Sequence, residues 1–342
     1  MADVRIALVS YDSLGDSLIY LMMADNLQIN GFDVTLYGDV AHQLRHWVPH
    51  LRIERCPAEE NFEAAFDHYT LALMSPPRFI REKMTAGFMA RAREKWVLFC
   101  QKAPAGWHFD HRERLRAILP EDLYERLQGL ASCAGSIRFR KFSTESVVDI
   151  TLEYMRERMR LSGARRRVPL SPPAGLEHRR DGKRIIVSPD SAGPDKKEWS
   201  PGAFIKLCHA LRRKGYEPHI VVAPRNHQRW KAMKGNVFET PIFQDINSLS
   251  AYIYESGALI ANDSGNGHLA SFLGVPVLTI YPKQNEHFHW RPGWGPGKVV
   301  CPAMRVPTLS EAIWRPFIRP ARVLQELEKL MNDKGGKPGL ET

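Results

Sequence analysis

The 342-residue sequence has no run approaching the ~20 consecutive apolar residues needed to cross a bilayer. Its first ten residues lack the basic stretch, apolar core and small-residue cleavage site of a secretory leader, so a cytoplasmic location is expected. Cysteine is scarce. Cys56, Cys100, Cys133, Cys208 and Cys301 are odd in number, widely spaced and form no C-x-x-C pair, which argues against a disulfide framework or a zinc knuckle. No G-x-G-x-x-G follows the opening strand, and there is no G-x-x-x-x-G-K-[ST]. Hydride transfer on a dinucleotide thereby loses its main support, and a P-loop is excluded. There is no fixed-period repeat and no low-complexity tract.

What is present is a core-forming composition, 44% hydrophobic and 25% charged, long enough for two domains. The 48 Lys and Arg exceed the 38 Asp and Glu, a formal charge of +10. Such a balance favours an anionic partner: nucleotide phosphates, nucleic acid or a phosphorylated membrane surface.

The chain divides by pattern. Residues 1–162 open with a buried-type strand at 4–10, a polar turn and a helix at 16–30 ended by Gly31. Strand signals recur at 34–37, 69–74 and 96–100, and charged helix-like stretches occupy 78–94 and 112–130. Val147, Val148, Ile150, Leu152, Met155 and Met159 mark an amphipathic helix. Alternating strands and helices predict a parallel sheet covered on both faces. Residues 163–183, with Arg165, Arg166 and Arg167 followed by Pro169, Pro172 and Pro173, read as a solvated interdomain linker. A second doubly wound domain is expected over 184–331, with strands at 184–188, 219–223, 258–261 and 276–281. Helices are expected at 201–214, near 248–255, ending at 273, and at 320–331, before a frayed tail at 332–342.

In doubly wound sheets ligands sit at the carboxyl ends of strands, which directs attention to three loops. The first, Ser13-Leu14-Gly15-Asp16, allows a tight turn at Gly15 and places Asp16 at or beside a helix start, where it could be a functional carboxylate or simply the N-cap. The second runs from Ser188 through Ser191 to Trp199. Its small residues would let backbone N–H groups approach a phosphate, with Lys196 or Lys197 either supplying charge or standing on the surface. The third, Asn262 to Pro276, combines a strand end, a glycine turn and a helix start, the arrangement of an anion site. Within it Asp263 could accept sugar hydroxyls or cap the helix, and His268 could be ligand-facing or structural. Lys283 and Arg291 flank a His- and Trp-rich segment at 281–296 that could border a nucleotide. His268, His287 and His289 lack metal-site spacing, so no metal and no cofactor are expected.

The run D-S-G-x-x-H-L-A-x-x-L-G-x-P from Asp263 to Pro276, the K-x-W of Lys197 and Trp199, and the L-G-D of Leu14 to Asp16 resemble family-nine glycosyltransferases. These are the ADP-heptose:lipopolysaccharide heptosyltransferases and their relatives. Asn266 stands where the family often has Pro. The resemblance implies a GT-B fold, two Rossmann-like domains facing across a cleft, with acceptor on the first and nucleotide sugar on the second. It implies that Asp16 is a general base, with Ser13 and Gly15 beside the acceptor. Lys197, Ser191 and Lys283 would then serve the donor diphosphate, and Asp263, Ser264, Gly265, Asn266, Gly267 and His268 would hold donor sugar and phosphates. Inverting, metal-independent transfer from a nucleotide-diphosphate sugar to a glycan or glycolipid follows, with peripheral contact at an anionic inner membrane and no nucleic-acid partner. Two rival readings are a nucleotide-sugar epimerase of the same fold and a noncatalytic anion- or glycolipid-binding protein.

Overall fold

The computed structural model describes residues 4–10, 13–75, 94–100, 105–137, 145–283, 289–302 and 314–332. The helix expected at 78–94 falls almost wholly outside them, as do His287 and the tail after Asn332. Two compact units are present, Met1–Ser171 and Pro172–Thr342. No helix among the described residues is long and apolar enough to cross a membrane.

In the first unit six parallel strands, β1 (Arg5–Val9), β2 (Asp33–Tyr37), β3 (Arg52–Glu54), β4 (Leu71–Met74), β5 (Trp96–Cys100) and β6 (Gly135–Ser136), lie in the order β3-β2-β1-β4-β5-β6. The helices are α1 (Leu14–Ile29), α2 (Asp39–Gln43), α3 (Arg112–Ile118), α4 (Glu121–Ala131) and α5 (Val147–Glu157). Strand order reverses beside β1, so the turn into α1 lies at the switch point. The expected single stretch at 112–130 is two helices. Pro120 divides them, because proline disfavours helical backbone at Leu119 and cannot donate an N–H. Alternate residues Ala7, Val9, Ala72, Met74, Trp96 and Leu98 turn to one face of the sheet and pack with Phe62 and Phe66.

α1 is buried from Ser17 to Leu27, Asp25 and Asn26 included. Two buried polar residues need partners, and the segment after α5 provides them. Arg165 holds the Asp25 carboxylate through two bonds of 3.0 and 3.1 Å, and His50 Nε2 lies 3.0 Å from the same group. Asn26 bonds the Arg165 backbone on both sides, accepting its N–H at 2.7 Å and donating to its carbonyl at 2.8 Å. Arg166 pairs with Asp149. The basic triplet is therefore in part an anchor rather than a solvated run: a buried carboxylate requires a countercharge. Ser171 closes this stretch by donating its N–H to the Trp47 carbonyl.

In the second unit β7 (Asp181–Ser188), β8 (Glu217–Ile220), β9 (Ser256–Asn262), β10 (Val277–Ile280) and β11 (Gly297–Val300) form a parallel sheet in the order β11-β10-β9-β7-β8. α6 (Pro194–Lys197), α7 (Pro201–Arg213), α8 (His227–Lys231), α9 (Ile246–Tyr254), α10 (Gly265–Phe272) and α11 (Pro320–Asn332) accompany it. The sheet starts at Asp181, three residues before the expected strand, with an irregularity between Asp181 and Ile185. There β7 and β9 approach so closely that a Cβ on Gly257 would stand 2.1 Å from the Gly182 carbonyl oxygen. Leading into β7, the backbone N–H groups of Arg179 and Asp181 bond the carbonyls of Tyr254 and Glu255. Ile185, Val187, Phe204, Leu207, Ile260, Leu278 and Leu327 belong to this unit's core.

Candidate functional site

β7 and β9 are neighbours at the reversal of strand order in the second unit, and the loops leaving both are pinned by side chains that the sequence places at the strand ends. Asn262, the last residue of β9, accepts the Trp199 backbone N–H at 3.1 Å and donates to the Pro189 carbonyl. Asn266 donates to Ser188 Oγ, the last residue of β7, at 2.9 Å. Asn266 thus ties the start of α10 to the neighbouring strand.

Lys197 Nζ donates to Asp263 Oδ2 at 2.6 Å, linking the two loops by charge as well. Asp263 is buried and Lys197 half-exposed. α6, absent from the sequence reading because it is four residues long, carries Lys197 and is fixed from behind. Arg315 donates to the carbonyls of Pro194, Asp195 and Glu198, and Trp314 Nε1 donates to the Lys196 carbonyl at 3.3 Å. Trp199 is a core residue, its indole N–H on the Arg315 carbonyl and its ring edge-on to Phe204.

The second oxygen of Asp263 lies 3.1 Å from the Tyr281 hydroxyl, which is also 2.7 Å from the Trp290 carbonyl. A phenol has one hydrogen, so it serves one of these acceptors at a time. Burial, reinforced by the negative charge of Asp263, raises the Tyr281 phenol well above its ordinary range and keeps it a neutral donor. Tyr281 was not singled out by the sequence; its signal was only a polar-tipped aromatic at a strand end.

α10 begins at Gly265 with Ser264 as an extended N-cap whose hydroxyl is buried and has no hydrogen-bond partner among the described residues. The first N–H groups of any helix have no acceptor within it, so a partial positive charge meets an unused hydroxyl and the Lys197 ammonium. A Cβ on Gly267 would come within 3.5 Å of Pro292 Cγ and 3.8 Å of Thr279 Oγ1, itself buried and unpaired. His268 is buried against Trp290 and Trp294, with Nδ1 unpaired. Burial pushes its proton affinity down to about 4, only partly opposed by Asp263 and a backbone hydrogen bond at Trp290, so it is neutral near pH 7.

Ser191 organises its own loop. Its N–H donates to Glu198 Oε1 at 2.8 Å, and its hydroxyl accepts the Gly193 N–H at 3.2 Å. Lys283 stands exposed beyond the end of β10. Among the described residues no group of three or more His, Cys, Asp or Glu is placed to hold a metal ion.

In the first unit the structure assigns the cap of α1 to Ser13, not Asp16. Ser13 Oγ accepts the Asp16 N–H at 3.3 Å and donates to its carboxylate. Leu14 and Gly15 are already helical, so Gly15 lies in the first turn of α1 rather than in a tight turn before it. The Asp16 carboxyl is raised above the ordinary carboxylate range by burial, an effect the Ser13 hydrogen bond only partly offsets. Such a group is a stronger base than an exposed aspartate.

The model of glycosyltransferase family 9 (heptosyltransferase) matches residues 138–308, which include Lys197 and the whole 263–276 run. No curated protein matches the chain. Among solved structures, a family 9 glycosyl transferase from Veillonella parvula is 14% identical, covers 97% of this chain and 98% of its own, and superposes with a TM-score of 0.65. The E. coli heptosyltransferase WaaC with ADP is 14% identical over 96% of this chain and all of its own, at 0.60. E. coli ADP-heptose lps heptosyltransferase II is 16% identical over 96% and 98%, at 0.61. These likenesses establish the two-unit GT-B fold. Together with the match over half its length, they make the chain an enzyme of glycosyltransferase family 9.

Proposed function

We propose that this glycosyltransferase is a heptosyltransferase that transfers a heptose or related sugar, with inversion, from a nucleotide-diphosphate sugar such as ADP-heptose to an acceptor hydroxyl of a lipopolysaccharide core. One observation carries the donor half of this reading: the Lys197–Asp263 pair stands beside the start of α10, next to a buried hydroxyl that has no partner among the described residues. A diphosphate would receive the Lys197 ammonium, the Ser264 hydroxyl and the first-turn N–H groups of Gly265, Asn266 and Gly267. The same contacts stabilise the negative charge that grows on the leaving group. Asp263, buried and doubly hydrogen-bonded, would accept sugar hydroxyls. Ser191, Lys283 and neutral His268 complete the donor side as supports of loop and wall.

For the acceptor half, Asp16 would take the hydroxyl proton as that oxygen attacks the anomeric carbon and the bond to the diphosphate breaks. Its burial-raised proton affinity supports the role. Ser13, hydrogen-bonded to Asp16, orients the carboxylate, and Gly15 beside it leaves room for the acceptor. No step in this scheme needs a metal or a cofactor. Residues 1–162 are read as the acceptor domain and 184–331 as the donor domain. The +10 charge suits a phosphorylated acceptor and transient contact with an anionic inner-membrane face.

Thermal shift with ADP, UDP, GDP and their sugar conjugates tests the donor. ADP at 100 times its Kd should stabilise the fold by about 2.7 kcal/mol. No shift with any adenine nucleotide, alongside one with UDP, would replace the donor assignment.

A further inference from the structure

Within the first unit, a pocket of about 560 Å³ opens at the β2–β3 side of the sheet, lined by Arg5, Tyr37, His42, Arg52, Glu54 and Arg55 among others. The parallel register sets Arg52 beside Thr35, and Glu54 beside Tyr37. Successive side chains alternate between faces, so these residues share the side on which Phe62 and Phe66 pack. α1, the helix that carries Asp16, covers the other side: its Tyr20 ring stacks on Phe99, whose neighbour Leu98 points to Phe62 and Phe66. Asp16 is not among the residues that line the pocket.

Three guanidiniums face one carboxylate here. Arg52 has an exposed partner in Asp33 at 3.2 Å, whereas Arg5 and Arg55 have no acidic partner among the described residues. The excess positive charge is felt locally: His42 has its proton affinity lowered, first by burial and then by Arg45 and Arg55. One wall is the Tyr37–Tyr69 pair, their hydroxyls 2.9 Å apart.

We propose that this pocket binds a saccharide carrying a phosphomonoester. A phosphomonoester bears a charge of about −1.5 to −2 near neutral pH, which matches the surplus of guanidinium over carboxylate, and the guanidinium fork suits its oxygens. The pocket is far larger than a phosphate group. Its other polar groups, the Glu54 carboxylate, the Thr35, Tyr37 and Tyr69 hydroxyls and the imidazoles of His42 and His68, supply both donors and acceptors for the hydroxyls of a sugar ring. The inference rests on neither the donor site nor the assignment of Asp16.

The test is calorimetric titration of the full chain with glucose 6-phosphate, inorganic phosphate and glucose, on the wild type and on the double variant Arg5→Ala/Arg55→Ala. Both arginines are exposed, and circular dichroism verifies that the variant remains folded. Glucose 6-phosphate should bind, more weakly as salt is raised and about tenfold or more weaker in the variant; inorganic phosphate should bind less well, and glucose not measurably. Equal affinity of wild type and variant, or no binding of glucose 6-phosphate, overturns the proposal. Equal affinity for inorganic phosphate and glucose 6-phosphate removes the saccharide from it. Binding confined to vesicles containing phosphatidic acid, with none to the sugar phosphate, would show a lipid surface instead.

Discussion

Asp16, Lys197 and His268 each make a separate claim that can be measured. Asp16→Asn keeps the size of the side chain while removing the proposed base. Turnover should fall by ~10²–10⁴, with the melting temperature nearly unchanged, because Ser13 and not Asp16 caps α1. The direction of the Asp16 shift also sets an acid limb. The rate should decline as pH falls through a value above the ordinary aspartate range, and Asp16→Asn should abolish that limb. Lys197→Ala should raise the KM for donor and also lower the melting temperature, because it leaves the buried Asp263 carboxylate without its ammonium partner, whereas Lys197→Arg should keep more of the stability. His268 bears on stability instead. Its folded-state value of about 4 lies below the unfolded ~6.5, so between these pH values the unfolded chain binds the extra proton, and stability is lost as pH drops across that window. The loss amounts to about 3 kcal/mol. Urea denaturation of His268→Gln from pH 7 to 4 should show a flatter profile than the wild type.

At the scale of elements, the close approach of β7 and β9 gives the sharpest expectation. Gly257→Ala would drive a methyl group into the Gly182 carbonyl, so the strands must separate. A loss of about 2 kcal/mol or more is expected in denaturant unfolding. Elements also show what sequence reading can recover. α1, α5, α7 and α11 were legible because each has an apolar face at helical spacing or a cap signal. β3 and β6 were not, being three and two residues long. β11 was hidden for another reason: four residues, Gly-Lys-Val-Val, follow a stretch rich in Pro, Gly and Trp. α6 left no periodic trace, and what holds it comes from Trp314 and Arg315, more than a hundred residues away.

Across the whole molecule, the alternation of strands and helices was enough to anticipate two doubly wound units. It could not supply strand order, which depends on long-range pairing. The candidate donor residues were legible as a motif, yet their network was not. Tyr281 joins Asp263 only because β10 lies beside β9, a neighbour relation that no local pattern encodes. Likewise the burial that tunes Asp16 and His268 is a property of the folded chain. The two compact units give one further expectation. In calorimetry of the full chain, ADP should move the transition of the unit that contains Lys197 and leave that of the other nearly in place. A single transition displaced as a whole would show that the units unfold together.

Chain fixed to the first unit ends with the Ser171 bond to Trp47, and chain fixed to the second resumes with the Glu177 N–H on Glu255. Only Pro172, Pro173, Ala174, Gly175 and Leu176 lie between, and two of these five are prolines with locked φ. The free backbone torsions of this short stretch therefore lie mainly around Gly175, whose φ of +86° favours glycine. A side chain at Gly175 would meet open space, so its cost would come from the backbone alone, as strain in the short stretch that connects the two anchored segments.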